Sequence, residues 1–191
     1  MNCSVEDKGA LYPPRPAATT PLRPMIYASL FAALMAAGAY MAIPIGPVPI
    51  VLQNMFVFLS GLLLGSRWGL ASVAVYLLAG IVGLPVFAGG TGGIGRIFGP
   101  TGGFLLGYLP VVFLVGRMAE RLPRRMVWDV AAMTAGAMVL YACGVAWLAA
   151  VTGLPLAKAL ALGMAPFLPG DALKIAAAAL IARAVRPVMN T

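Results

Sequence analysis

Apolar runs long enough to span a bilayer constrain this chain more than any other feature. A spanning helix needs roughly 20 largely apolar residues, and six stretches approach or reach that length: residues 25–43, 49–65, 68–85, 103–118, 127–151 and 170–185. Hydrophobic residues make up 62% of the chain and charged ones 9%, against about 25% charged in an average soluble domain. A protein so poor in polar surface belongs in a membrane.

The shorter runs, 49–65 and 103–118, are settled by charge. Basic residues collect on the cytoplasmic side of short loops. Six spans with both termini inside place Lys8, Arg15, Arg23, Arg67, Arg117, Arg121, Arg124, Arg125, Arg183 and Arg186 in the cytoplasm and leave Arg96 and Lys158 outside. Dropping either short span would divide the basic clusters between the two sides. The expected fold is therefore an all-α integral membrane protein of six transmembrane helices, N- and C-termini cytoplasmic. It divides into a disordered cytoplasmic tail over 1–24, rich in charge and proline, a membrane domain over 25–187 and a short C-terminal tail over 188–191.

The net charge of +8 would suggest nucleic acid in a soluble protein. Here the cations sit at span ends, where anionic lipid and the orientation rule account for them, so no nucleic-acid partner is expected. Cys3 lies in the tail and Cys143 in the fifth span, and the chain has no histidine. Neither a disulfide nor a metal site follows. With five acidic residues and no paired carboxylates, general acid and base chemistry lacks its groups, and no cofactor is expected. The chain is not expected to be an enzyme.

In the first span Ala28, Ala32 and Ala36 repeat every four residues, as do Ala33 and Ala37. Small residues at that spacing let another helix approach closely, either a membrane partner or the protein's own helices. The proline-rich turn "PIGPVPIVLQN" brings Gln53 and Asn54 into the second span, where their amides could bond a ligand or a neighbouring helix. Between the fifth and sixth spans, 154–170 reads as a short helix at the outer face that reverses at Pro169 and Gly170.

Two stretches carry the chemistry. In "PGDALKIAAAAL" Asp171 and Lys174 stand three residues apart on one helical face, and ionisable groups within a span generally face a cavity or one another. The outside loop "GGTGGIGRIFGPTGG" holds eight glycines and one arginine. Glycine allows positive φ and close backbone approach, so a loop with Gly93 and Gly95 beside Arg96 can fold over a small molecule as a lid. Arg96, Lys174 and Asp171 sum to +1, which one ligand carboxylate would neutralise, and Arg96 could bind it through two parallel hydrogen bonds. A phosphate cradle fails on detail, because no GK[ST] follows and Gly93, Gly95 and Gly99 miss the dinucleotide spacing by one residue.

The stretches "GPVPIVLQN", "GLPVFAGGTGGIGRIFGPTGGFLLGY" and "PGDALKIAAAAL" closely resemble the BioY family of biotin transporters, the substrate-binding S components of energy-coupling factor (ECF) transporters, over residues 25–187. The resemblance implies high-affinity biotin capture near the outer face of the bacterial cytoplasmic membrane. It implies uptake driven by a membrane coupling protein and two cytoplasmic ATPase subunits, with homo-oligomers in some members. It places biotin between the end of the second span, the glycine loop and the start of the last span, with Gln53 and Tyr76 beside the site. The chemistry of biotin then gives Arg96 to the valerate carboxylate and Asp171 with Lys174 to the ureido ring, the first two roles being exchangeable. Phe87, Ile97 and Phe98 become apolar walls, and Ala28, Ala32 and Ala36 the stripe that docks on the coupling protein. An S component for another vitamin and a self-sufficient secondary transporter are the alternatives.

Overall fold

A computed structural model describes residues 22–43 and 47–189. The expected tail up to residue 21, Cys3 with it, and residues 190 and 191 lie outside the described residues. The elements are α1 (Leu22–Tyr40), β1 (Ala42–Ile43), β2 (Ile50–Val51), α2 (Gln53–Val82), α3 (Gly95–Phe98), α4 (Gly102–Arg121), α5 (Met126–Thr152), α6 (Leu156–Gly163) and α7 (Leu168–Met189). Helix α1 starts three residues before the expected Met25, and α7 runs on through Met189.

Four helices, α1, α2, α4 and α5, are long and apolar enough to cross a membrane, and α6 with α7, bent by 46°, makes up to a fifth span. The second and third expected spans both lie within α2. That helix is interrupted at Gly65, whose φ of 76° and ψ of −174° are non-helical. Residues 60 and 69 of a continuous helix would stand about 13 Å apart, yet a Cβ on Gly69 would lie 3.3 Å from the Ser60 carbonyl oxygen and 3.4 Å from the Gly61 Cα. The chain doubles back at Gly65, and α2 is two antiparallel arms.

The reversal is fixed from α4. Glu120 Oε1 accepts the backbone N–H of Ser66 at 2.7 Å and its hydroxyl at 2.8 Å, capping the second arm where a helix N-terminus favours an anion. Gly116 lets the α4 backbone lie directly against Gly65 and Ser66. Near the same end, Arg186 of α7 grips Asp129 of α5 through two hydrogen bonds of 2.7 and 2.8 Å, and that carboxylate is buried. A charge pair inside a bundle is tolerated when each partner satisfies the other. The core between these helices is aliphatic and aromatic, with Met35, Val57, Phe58, Val73, Val111 and Met133 fully enclosed.

Helix α1 corrects one expectation. Ala28 and Ala32 are only 5% and 8% exposed and pack into the chain's own core, and Ala36 is half-buried. Phe31, Met35 and Ala39 belong to the same inward face, so bulky apolar side chains draw that side of the helix inward. The small residues left facing outward are Ser29, Ala33 and Ala37.

Candidate functional site

At one end of the bundle the two-stranded β1–β2 hairpin, the start of α2, the glycine-rich loop, the first turns of α4, the middle of α5 and the start of α7 enclose a cavity of about 350 Å³. That is within the range of roughly 300–1,000 Å³ usual for small-molecule sites. Phe104 and Phe167, stacked with centroids 6.5 Å apart, supply apolar wall together with Leu105 and Leu140.

The polar floor comes from three helices. Asp171 and Lys174 sit one turn apart on α7 with Nζ and Oδ1 at 2.9 Å, both nearly buried. The Asn54 side-chain amide donates to Asp171 Oδ1 at 2.8 Å, and the Tyr141 hydroxyl donates to Oδ2 at 2.6 Å. Lys174 also donates to the Val51 carbonyl at 2.7 Å and to Asn54 Oδ1 at 3.2 Å. An ammonium has three donors, so all those of Lys174 are committed within the protein. The carboxylate has room for about four hydrogen bonds and receives three here, which leaves Asp171 one acceptor site for a ligand.

Three further cavity groups have capacity to spare. Arg96, on the single turn α3, lines the cavity, and its guanidinium has no side-chain partner among the described residues. Gln53 is 1% exposed, and its Nε2 has no partner within hydrogen-bond distance among the described residues, the neighbouring Tyr76 hydroxyl being bonded to Val86. An unpaired buried amide costs about 1–3 kcal/mol; a ligand acceptor would recover that. The Tyr108 hydroxyl also belongs to a cavity-lining residue without a hydrogen bond among the described residues.

Of the residues singled out from sequence, Arg96, Asp171, Lys174, Gln53 and Phe87 line the cavity. Tyr76 stands behind the wall, beside Gln53, bonded to the Val86 carbonyl at 3.1 Å and edge-on to Phe87 with centroids 5.6 Å apart. Gly93, Gly95 and Phe98 are not in the lining. Gly93 instead makes a turn, its φ of 95° reserved to glycine and its N–H donated to the Gly80 carbonyl at 2.7 Å. Phe98 follows Arg96 by two residues on one helical turn and therefore points elsewhere, 65% exposed, while Ile97 is buried outside the lining. The loop carrying Arg96 is tied down on several sides. Tyr40 of α1 donates to the Pro85 carbonyl at 2.6 Å and Trp147 of α5 to the Gly99 carbonyl at 3.0 Å. Gly102 and Gly103 are required there, since a side chain at either would run into Ile97 or Trp147.

Sequence reasoning did not select Tyr108, Tyr141, Phe104 or Phe167. The two tyrosines had a signal, because a hydroxyl within an apolar span must find a partner or face a cavity. The phenylalanines had none, being indistinguishable from core.

The profile of the BioY family matches residues 13–191. This chain belongs to the BioY family. The BioY-family chain is 43% identical over 161 residues to the biotin transporter BioY of Thermotoga maritima, covering 84% of this chain and 94% of that protein. It is 41% identical over 174 residues to the biotin transporter BioY of Rhizobium etli, covering 85% and 92%. Its fold is similar to the crystal structure, at 2.1 Å, of the S-component for biotin from an ECF-type ABC transporter. There the TM-score is 0.84 at 30% identity, over 91% of this chain and 95% of that one. The BioY-family chain is accordingly a multi-pass protein of the cytoplasmic membrane and a transporter component.

Proposed function

We propose that this chain captures biotin in the 350 Å³ cavity and serves as the substrate-specific component of an ECF-type vitamin transporter. The observation that carries the reading is the division of charge in the cavity. Asp171 and Lys174 cancel inside a hydrogen-bonded cluster, and Arg96, on a different element, remains a cation without a side-chain partner among the described residues. A ligand with one carboxylate and a neutral polar ring meets both demands. Arg96 takes the valerate carboxylate. The remaining acceptor site of Asp171 takes a ureido N–H, and the unpaired Gln53 amide donates to the ureido oxygen. Lys174, spent on Val51, Asn54 and Asp171, holds the carboxylate in place rather than touching the ligand itself.

In this reading α1, the two arms of α2, α4, α5 and α7 cross the bilayer, with both termini in the cytoplasm. The cavity opens outward, and the glycine-rich loop is its lid. Energy comes from a membrane coupling protein and two cytoplasmic ATPase subunits, since the chain carries no nucleotide-binding motif. The outward small face of α1, Ser29, Ala33 and Ala37, is the surface on which the coupling protein docks.

Equilibrium binding of labelled biotin to the purified chain in detergent, with thiamine and riboflavin as competitors, tests the substrate. Saturable one-to-one binding that neither competitor displaces is expected. Displacement by either, or no binding by folded protein, would reject the assignment.

A further inference from the structure

The end of the bundle opposite the biotin cavity holds a second one, of about 210 Å³, lined by the last turn of the first α2 arm from Leu62 to Gly65, by Ala119 and Glu120 of α4, by Arg124, and by Arg186 and Met189 of α7. Its composition is two-sided. Leu62, Leu63, Leu64, Ala119 and Met189 make an apolar wall, and Arg124 and Arg186 stand over it.

The charges there are not equivalent. Arg186 spends both terminal nitrogens on Asp129. Glu120 is likewise engaged, with Oε1 on Ser66 and Oε2 3.4 Å from Arg117, so its charge is largely compensated. Arg124 is exposed and has no side-chain partner among the described residues. At the break, Ser66 gives its N–H to Glu120, so the carboxylate of Glu120 faces the start of the second arm as well as Arg117. The site thus offers a free guanidinium for an anion beside an apolar wall.

The geometry points to a binding site for the headgroup of an anionic phospholipid, for which phosphatidylglycerol is the probe. The phosphate pairs with Arg124, and the glycerol backbone and first acyl carbons lie along Leu62, Leu63 and Met189. A free phosphate would satisfy the guanidinium alone. A zwitterionic choline lipid would bring a cation against the arginines. General attraction of anionic lipid to basic span ends would make no distinction between Arg124 and other exposed arginines of this end, such as Arg121, which lies outside the cavity.

That distinction is the test. The purified full-length chain, delipidated in an uncharged detergent, is melted alone and with phosphatidylglycerol, phosphatidylcholine or inorganic phosphate, and lipid adducts are counted by native mass spectrometry. Phosphatidylglycerol is expected to raise the melting temperature by several degrees and to leave one retained adduct. Phosphatidylcholine and phosphate should do neither. Arg124→Gln should abolish both effects, and Arg121→Gln should keep them. An unchanged shift in Arg124→Gln, an equal loss in Arg121→Gln, or an equal shift with phosphatidylcholine or inorganic phosphate would each overturn the assignment. Biotin binding does not enter the readout, so the outcome is independent of the proposed substrate.

Discussion

Arg96 and the Asp171–Lys174 pair act through different physics, and substitutions separate them. In the proposed binding mode Arg96 serves the ligand alone, having no side-chain partner among the described residues. Arg96→Ala should weaken biotin by the worth of a charge-assisted hydrogen bond, about 1.5–3 kcal/mol, or roughly ten- to 150-fold in affinity. It should leave biotin methyl ester nearly unchanged, since the ester carries no charge to pair. Titrating both ligands against the variant decides the point, and equal losses would remove Arg96 from the carboxylate. Asp171 is also part of the protein's own structure. Asp171→Asn leaves the Lys174 ammonium, 8% exposed, without its counter-charge, and breaking a buried pair costs about 3–5 kcal/mol. The melting temperature in detergent should fall markedly. The double variant Asp171→Asn with Lys174→Met removes the stranded charge and should recover most of that stability without recovering biotin binding, because the ligand acceptor is still gone.

At the scale of elements, the reversal inside α2 depends on one glycine. The φ of 76° at Gly65 with an extended ψ is a region essentially closed to other residues, and forcing one there costs about 1–3 kcal/mol. A Cβ at that position would also stand 2.7 Å from Glu120 Oε1, against the group that caps the second arm. Gly65→Ala should therefore lower the melting temperature by several degrees. Gly99→Ala is the matched control. Its φ is −77°, and an added Cβ would meet only ordinary contacts at 3.5 Å, so its effect should stay within about 0.5 kcal/mol. Similar losses in the two variants would mean that the hairpin does not rest on the conformation of Gly65.

For the whole molecule, capture and transport are separable. The cavity is built from α2, α4, α5, α7 and the loops around them, whereas Ser29, Ala33 and Ala37 look away from it on the outer side of α1. A bulky side chain on that face blocks close helix approach without touching the ligand. Ala33→Leu and Ala37→Leu should leave biotin affinity in detergent unchanged and should reduce copurification with the coupling protein and uptake in cells that express the full transporter. Intact copurification would move the docking surface elsewhere. Replacement of Ala28 or Ala32 should instead damage folding, because both are packed within the core.

Much of this architecture is written locally in the sequence. Hydrophobic length places the long helices, and the span boundary expected after Gly65 coincides with the break in α2, because exclusion of charge from lipid acts on each segment by itself. The Asp171–Lys174 spacing and the isolated Arg96 marked the site for the same reason, since an ionisable group near a bilayer requires a local cause. What the sequence left open depends on how helices rotate against one another. The choice between the two alanine stripes of α1 was decided by which face carries Phe31 and Met35 into the core. Phe98 and Arg96, two residues apart, were sent to different sides by a single helical turn. The role of Lys174 was set by Val51 and Asn54, more than a hundred residues earlier in the chain. Those outcomes follow from packing among distant segments, where burial and hydrogen-bond satisfaction are shared by several helices at once, and only the tertiary structure settles them.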